Sequence, residues 1–243
     1  MRRFGLWFSL LTVALLVSCA FPTRITEVKG SGNLVTESRR ITGINAVDLS
    51  GIGTLIIEQG DTDALEITAD ENIMQYIRSD VSGGKLALGT REFINLLPSR
   101  EITYRLTVRD LSAVEASGVG NIEIKSLRTD RLWVEISGSG SLKMGDLQAD
   151  AFNLEISGMG TAEASGSVEE QSIDISGTGG YHAGNLQSQK ADIKISGSGS
   201  AVVWAQEELN LDISGMGDLS YYGEPVLNTD ISGMGNLKSL GKK

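Results

Sequence analysis

The tetrapeptide Ser-Gly-x-Gly occurs eight times, starting at Ser50, Ser117, Ser137, Ser157, Ser176, Ser196, Ser214 and Ser232. From Ser117 onward the copies are 20, 20, 19, 20, 18 and 18 residues apart. Units this short cannot bury a core of their own, so they must stack and share one. The flanking residues say how. Counting each serine as zero, positions −3 and −1 are mostly apolar: Val134 and Ile136, Leu154 and Ile156, Ile173 and Ile175, Ile193 and Ile195, Leu211 and Ile213. Positions +5 and +7 are often apolar too: Ile122 and Ile124, Leu142 and Met144, Ala201 and Val203, Leu219 and Tyr221. Period two on both sides of the glycine pair predicts two strands with one inward face, joined at a bend. Glycine suits such a bend because it accepts positive φ and lets neighbouring coils approach closely. The turn positions are Gly51, Gly53, Gly118, Gly120, Gly138, Gly140, Gly158, Gly160, Gly177, Gly179, Gly197, Gly199, Gly215, Gly217, Gly233 and Gly235.

The expected fold is therefore all-β: a single-chain parallel β-helix, or β-solenoid, with about 18–20 residues per coil. The right-handed form is favoured because the hexapeptide pattern of left-handed coils is missing. Only 5% of residues are aromatic while 30 are glycine, which suits thin coils better than a bulky helical core. Between Ser50 and Ser117 the tetrapeptide is missing but strand patterns persist, as in Ile102, Tyr104, Leu106 and Val108. This stretch reads as variant coils with a helical insertion near residues 72–78, capping the start of the stack, since an open coil exposes backbone and apolar side chains.

The chain begins as an exported protein does. Arg2 and Arg3 precede an apolar run from Phe4 to Val17, too short to be a confident membrane span. The run ends at Leu16-Val17-Ser18-Cys19, which resembles the bacterial lipobox, in which the cysteine sulfur is lipidated. Cys19 is the only cysteine, so it has no internal disulfide partner. The expected organisation is a lipoprotein signal peptide over 1–18, a tether over 19–29 and a solenoid domain over 30–241. Ala20 after the cysteine, with no aspartate there, favours an outer-membrane or surface address. The formal charge of −10 becomes −12 once Arg2 and Arg3 are removed, which excludes nucleic acid as a partner and leaves cations, glycans or envelope proteins.

Gly43 to Gly53, followed by Ile56-Ile57-Glu58-Gln59-Gly60-Asp61, Ala69-Asp70-Glu71-Asn72 and then the repeats, resembles the head GIN domain family, described as an auto-transporter adhesin domain. The resemblance covers about residues 30 to 240. It implies an exported, often lipidated β-helix and supplies no catalytic residues to carry over.

Chemistry must then come from outward side chains. Position −2 holds Asp48, Glu115, Glu135, Glu155, Asp174, Lys194, Asp212 and Asp230, which parity turns outward into an acidic stripe. Glu115, Glu135, Glu155, Asp174, Asp212 and Asp230 form a candidate cation ladder, since calcium prefers such oxygen ligands and would relieve the repulsion; hydrated, splayed carboxylates are the plainer reading. No other cofactor is implied. Trp133, Trp204, Tyr181, Tyr221 and Tyr222 could stack glycans or simply cover coil edges, with Tyr221 inward and Tyr222 outward. Met159, Met216 and Met234, between the two glycines, are expected to pack between coils. Glu169, Glu170, Glu207 and Glu208 are expected in connecting loops. The lone histidine, His182, is expected on the surface; a couple with Ser200 or Ser220 would lack a third group. Eight glycine turns flanked by strands do not form a phosphate cradle, which needs a helix N-terminus. The expectation is a non-enzymatic, lipid-anchored cell-envelope protein with an adhesin-like β-solenoid mediating surface or envelope interactions. The competing readings are a polysaccharide-active β-helix enzyme, disfavoured by short loops and uniform repeats, and a purely structural envelope component.

Overall fold

The computed structural model describes residues 25–243, so the leader, Cys19 and the start of the expected tether lie outside the described residues. The first part carries β1 (Thr26–Lys29), β2 (Leu34–Arg39), β3 (Ala46–Leu49), β4 (Ile52–Gln59) and β5 (Ala64–Asp70). The one-turn helix α1 (Glu71–Met74) follows, then β6 (Ile77–Ser82), β7 (Lys85–Thr90), β8 (Ile94–Leu97), β9 (Thr103–Val108) and β10 (Ala113–Ala116). The repeats form five long strands: β11 (Val119–Ile136), β12 (Ser141–Ile156), β13 (Thr161–Ile175), β14 (Gly180–Ile195) and β15 (Ser200–Ile213). The last coil is divided into β16 (Asp218–Tyr222), β17 (Val226–Ile231) and β18 (Asn236–Ser239). The result is a parallel β-solenoid of about 6 turns, 68% strand and 2% helix.

Register follows the repeat. Each long strand pairs in parallel with the next, so that Val134, Leu154, Ile173, Ile193 and Leu211 stack in one buried row. A coil is more continuous than two strands and a bend. In β11 the alternation slips where Lys125 and Ser126 both face out, and again at Asp130 and Arg131. Those slips turn corners without breaking the ladder and place Leu127 inward in the middle of the coil, while Leu132 at −5 continues the parity of −3 and −1. Glu169, Glu170, Glu207 and Glu208 accordingly lie within β13 and β15, not in loops.

The glycines do their work mostly by proximity. Among the repeat glycines only Gly53 has positive φ, at 123°. The slot residue between the glycines donates its N–H to the first glycine's carbonyl one coil below, as Met159 to Gly138 at 3.2 Å and Thr178 to Gly158 at 3.1 Å. That bond holds the lower carbonyl directly against the upper first glycine, where a Cβ would overlap it. The second glycine is inward, and its missing side chain makes room for an isoleucine of the coil below: a Cβ at Gly160 would meet Ile136 Cγ2 at 2.5 Å.

The stretch between Ser50 and Ser117 is a cap built by reversing strand direction. β4 and β9 continue the parallel stack, but β5 pairs antiparallel with β9 and β2, and β6 pairs antiparallel with β7. The helix is shorter than expected, and Ile77 and Arg78 already belong to β6. Arg39 fastens β2 to it, donating from Nη1 to the Ile77 carbonyl at 2.8 Å and from Nη2 to the Met74 carbonyl at 3.2 Å.

Residues 26–29, expected as tether, form β1 and pair with β8. Asp70 locks the following turn: its carboxylate accepts from the Gly32 N–H at 2.7 Å, the Ser99 N–H at 2.9 Å and the Ser99 hydroxyl at 2.6 Å. The Ser99 hydroxyl, helped by the backbone donors and opposed by burial, holds the Asp70 carboxyl below its ordinary 3.8. A carboxyl lowered in the fold stabilises it above the unfolded value and loses that contribution as pH falls through the folded one. Acid titration below pH 3.8 should therefore release the Lys29–Asn33 turn. Hydrogen exchange at Gly32 and Ser99 reads this directly, and Asp70→Asn should abolish the acid dependence; unchanged protection across that range would contradict it.

Candidate functional site

Outward positions on the strand before each Ser-Gly-x-Gly turn build one continuous side face. In the −2 row, Asp48 pairs with Glu115, Glu115 with Glu135, Glu135 with Glu155, Glu155 with Asp174, Asp174 with Lys194, Lys194 with Asp212 and Asp212 with Asp230. The acidic stripe is thus real, but lysines answer it at two points. Lys85 is hydrogen-bonded to Glu115, and Lys194 lies 3.9 Å from Asp174. Burial and then the Glu115 charge raise the Asp48 carboxyl above its ordinary range, while the hydrogen bond to Glu115 raises the Lys85 ammonium. The carboxylates stand in single file: among the described residues no group of three or more His, Cys, Asp or Glu is placed to hold a metal ion.

A second outward row at −4 was not singled out from the sequence, although the same parity predicts it. It runs Ala113, Trp133, Asn153, Ser172, Asp192, Asn210 and Asn228. Its upper part is hydrogen-bonded along the stack: Asn228 Nδ2 donates to Asn210 Oδ1 at 2.8 Å, and Asn210 Nδ2 to Asp192 Oδ1 at 2.6 Å. Between the rows lies an open groove of about 550 Å³, floored by Ile173, Ile193, Leu211 and Thr229. Asp192, Asn210 and Asn228 border one side, and Lys194, Asp212 and Asp230 the other. A depression of about 700 Å³ on the neighbouring face is also acidic, with Asp110, Asp130, Asp146 and Asp150 around Arg128, whose guanidinium donates to Gln148 Oε1. The two 20-residue steps from Asp110 to Asp130 and from Asp130 to Asp150 were its sequence signal.

The aromatic residues do not form one platform. Tyr181 is fully buried, because +5 is an inward position, so it cannot stack a glycan. Tyr221 is half-buried against the core. Trp204 and Tyr222 are register neighbours beneath the Lys243 ammonium, 5.3 and 4.9 Å from their ring centres. Trp133 alone belongs to the side face with the groove. Met159, Met216 and Met234 are exposed rather than packed between coils, because the slot between the glycines points outward at the corner. His182 is exposed, and no hydrogen bond joins it to Ser200 or Ser220.

The family model described as "Putative auto-transporter adhesin, head GIN domain" matches residues 44–225. The chain belongs to the head GIN domain family. The fold of this head GIN protein recurs in solved structures. A "putative adhesin" from Bacteroides fragilis NCTC 9343 has a TM-score of 0.82 at 22% identity, over 88% of this chain and 100% of that one. A "putative adhesin" from Parabacteroides merdae ATCC 43184 has a TM-score of 0.73 at 25% identity, over 88% and 99%. A "putative lipid binding protein" from Parabacteroides distasonis ATCC 8503 has a TM-score of 0.76 at 24% identity, over 88% and 100%. No curated protein matches the chain. The head GIN match excludes the first coil's leading residues but includes both rows of the side face as far as Pro225.

Proposed function

We propose that this head GIN protein is a non-enzymatic, lipid-anchored protein of the cell envelope whose side face binds an elongated glycan or envelope protein. The observation that carries the reading is the pair of outward rows in constant register, which sets polar side chains, among them Asp192, Asn210 and Asn228 on one side and Asp212 and Asp230 on the other, at successive coils along an open groove. Repetition at about 4.8 Å suits a ligand that is itself extended and polar, because weak contacts add along a line. The adhesin description of the family and of its structural relatives supports a surface role. The lipobox-like run Leu16-Val17-Ser18-Cys19 makes a lipid on Cys19 the proposed means of attachment.

Fractionation and binding test the two halves separately. Cys19→Ala should move the exported chain from the membrane to the soluble fraction; a chain still membrane-bound would defeat the anchor. Asn210→Arg with Asn228→Arg should reduce retention on envelope fragments at least about tenfold, the loss expected when a few contacts of about 1 kcal/mol vanish together. Equal retention would remove the groove from the binding surface, and turnover of an envelope polysaccharide would replace the adhesin reading with an enzyme.

A further inference from the structure

The two ends of the solenoid are finished differently. At the first end, antiparallel β2, β5 and β6 overlie the stack, and their outer residues include Glu37, Arg78 and Asp80, charges that discourage further strand pairing. At the other end β17 pairs only with β15 among the described residues, leaving its second backbone edge open. Its inward residues are uncovered as well. Leu227, Thr229 and Ile231 continue the rows of Leu209, Leu211 and Ile213, yet Leu227 is 41% and Ile231 39% exposed where their counterparts are buried.

From this we infer that β17 is a homodimer interface: two copies join end to end, β17 against β17 in antiparallel register about a twofold axis through Thr229. The occupant follows from the strand itself. With Thr229 opposite its own copy, Leu227 faces Ile231 of the partner copy, and the inward row of each solenoid meets the inward row of the other. On the outer side, Asn228 falls opposite Asp230 of the partner copy, an amide donor facing a carboxylate. A register one residue away would set inward against outward positions and lose both matches. Charge permits the approach. Residues 224–243 hold two acids and three lysines, whereas the whole chain carries −10. Because the edge strands at the opposite end carry the charges of Glu37, Arg78 and Asp80, head-to-tail growth into a filament is opposed, and the contact closes as a pair. The interface shares Asn228, Thr229 and Asp230 with the upper end of the groove, so its test reads the mass of the assembly and not binding to the side face.

The axis supplies a sharp test. In an antiparallel pair, directly opposed Cα atoms are about 4.5–5.5 Å apart, within disulfide reach. The full-length chain carrying Thr229→Cys should form a reducible species of twice the monomer mass in oxidised membranes. The unaltered chain, with Cys19 as its one cysteine, should not. Thr229→Lys, which sets two like charges on the axis at an exposed position, should leave the purified chain monomeric at concentrations where the parent sediments as a dimer. Absence of the disulfide-linked product from the Thr229→Cys chain overturns the proposal, as does an adduct of any other mass or a parent that sediments as a monomer throughout.

Discussion

Gly177→Ala should cost this protein about 3–5 kcal/mol, whereas Ser198→Ala, in the variable slot one coil away, should change stability by less than about 0.5 kcal/mol. The two sites differ in what stands beside them. Gly177 faces the coil below, where its Cβ would overlap the Gly158 carbonyl and lie 2.8 Å from that of Ser157. Both obstacles are backbone, and the Gly158 carbonyl is pinned by the Thr178 N–H at 3.1 Å, so neither yields without parting the coils. Ser198 points outward and is exposed. Position along the stack provides a second contrast. The same overlap awaits a Cβ at Gly233, with the Gly215 carbonyl, but there only the final coil would be released. In a solenoid, stability is a sum over neighbouring interfaces, so a break in the middle costs more than one at the end. Urea denaturation followed by far-UV circular dichroism should rank Gly177→Ala well below Gly233→Ala, with Ser198→Ala at the parent value. Equal midpoints for the two glycine variants would mean that close approach is not what fixes the turn.

The repeat's legibility came from its simplest physics. Parity around the glycines placed Val134, Ile136, Ile122 and Ile124 inside, and the −2 carboxylates outside, because a strand permits no other arrangement once its buried face is known. What escaped were the consequences of two corners where parity slips. Leu127 is a core residue that alternation from the serine cannot reach, whereas Leu132 at −5 keeps the parity of −3 and −1. The cap was readable as strands but not as reversed strands, since Ala64 to Thr68 alternates alike in either direction. The glycines were correctly placed for an incomplete reason: close approach between coils, not positive φ, is the common requirement. The −4 row of the candidate site was missed because Asp192 is its one charged residue and so leaves no charge pattern to draw attention, although the row shares the parity of the acids beside it.

Tyr181 shows the same lesson from inside, and it leads to the second large effect. Its row runs Leu142, Ala162, Tyr181 and Ala201, and the alanines directly below and above it leave the volume the ring occupies. Across the core the −5 row runs Phe152, Gln171 and Ala191. The rings of Phe152 and Tyr181 meet at 6.4 Å and 38°. A phenol and an amide in such a place must satisfy each other. The Tyr181 hydroxyl donates to Gln171 Oε1 at 2.9 Å, Gln171 Nε2 donates to Ser188 Oγ at 2.8 Å, and Ser188 Oγ donates to the Trp204 carbonyl at 3.0 Å. Burial also pushes the Tyr181 phenol well above its ordinary 10.0, so it remains a donor across the working pH range. Gln171→Leu keeps the volume but strands the phenol and takes a donor from Ser188. At about 1–3 kcal/mol for each unsatisfied buried group, it should lower stability by about 2–5 kcal/mol. Adding Tyr181→Phe removes the stranded hydroxyl, so the double variant should be more stable than Gln171→Leu alone. That reversal is the discriminating result in chemical denaturation. Strictly additive losses would show that the three side chains are neighbours in the core without acting as one network.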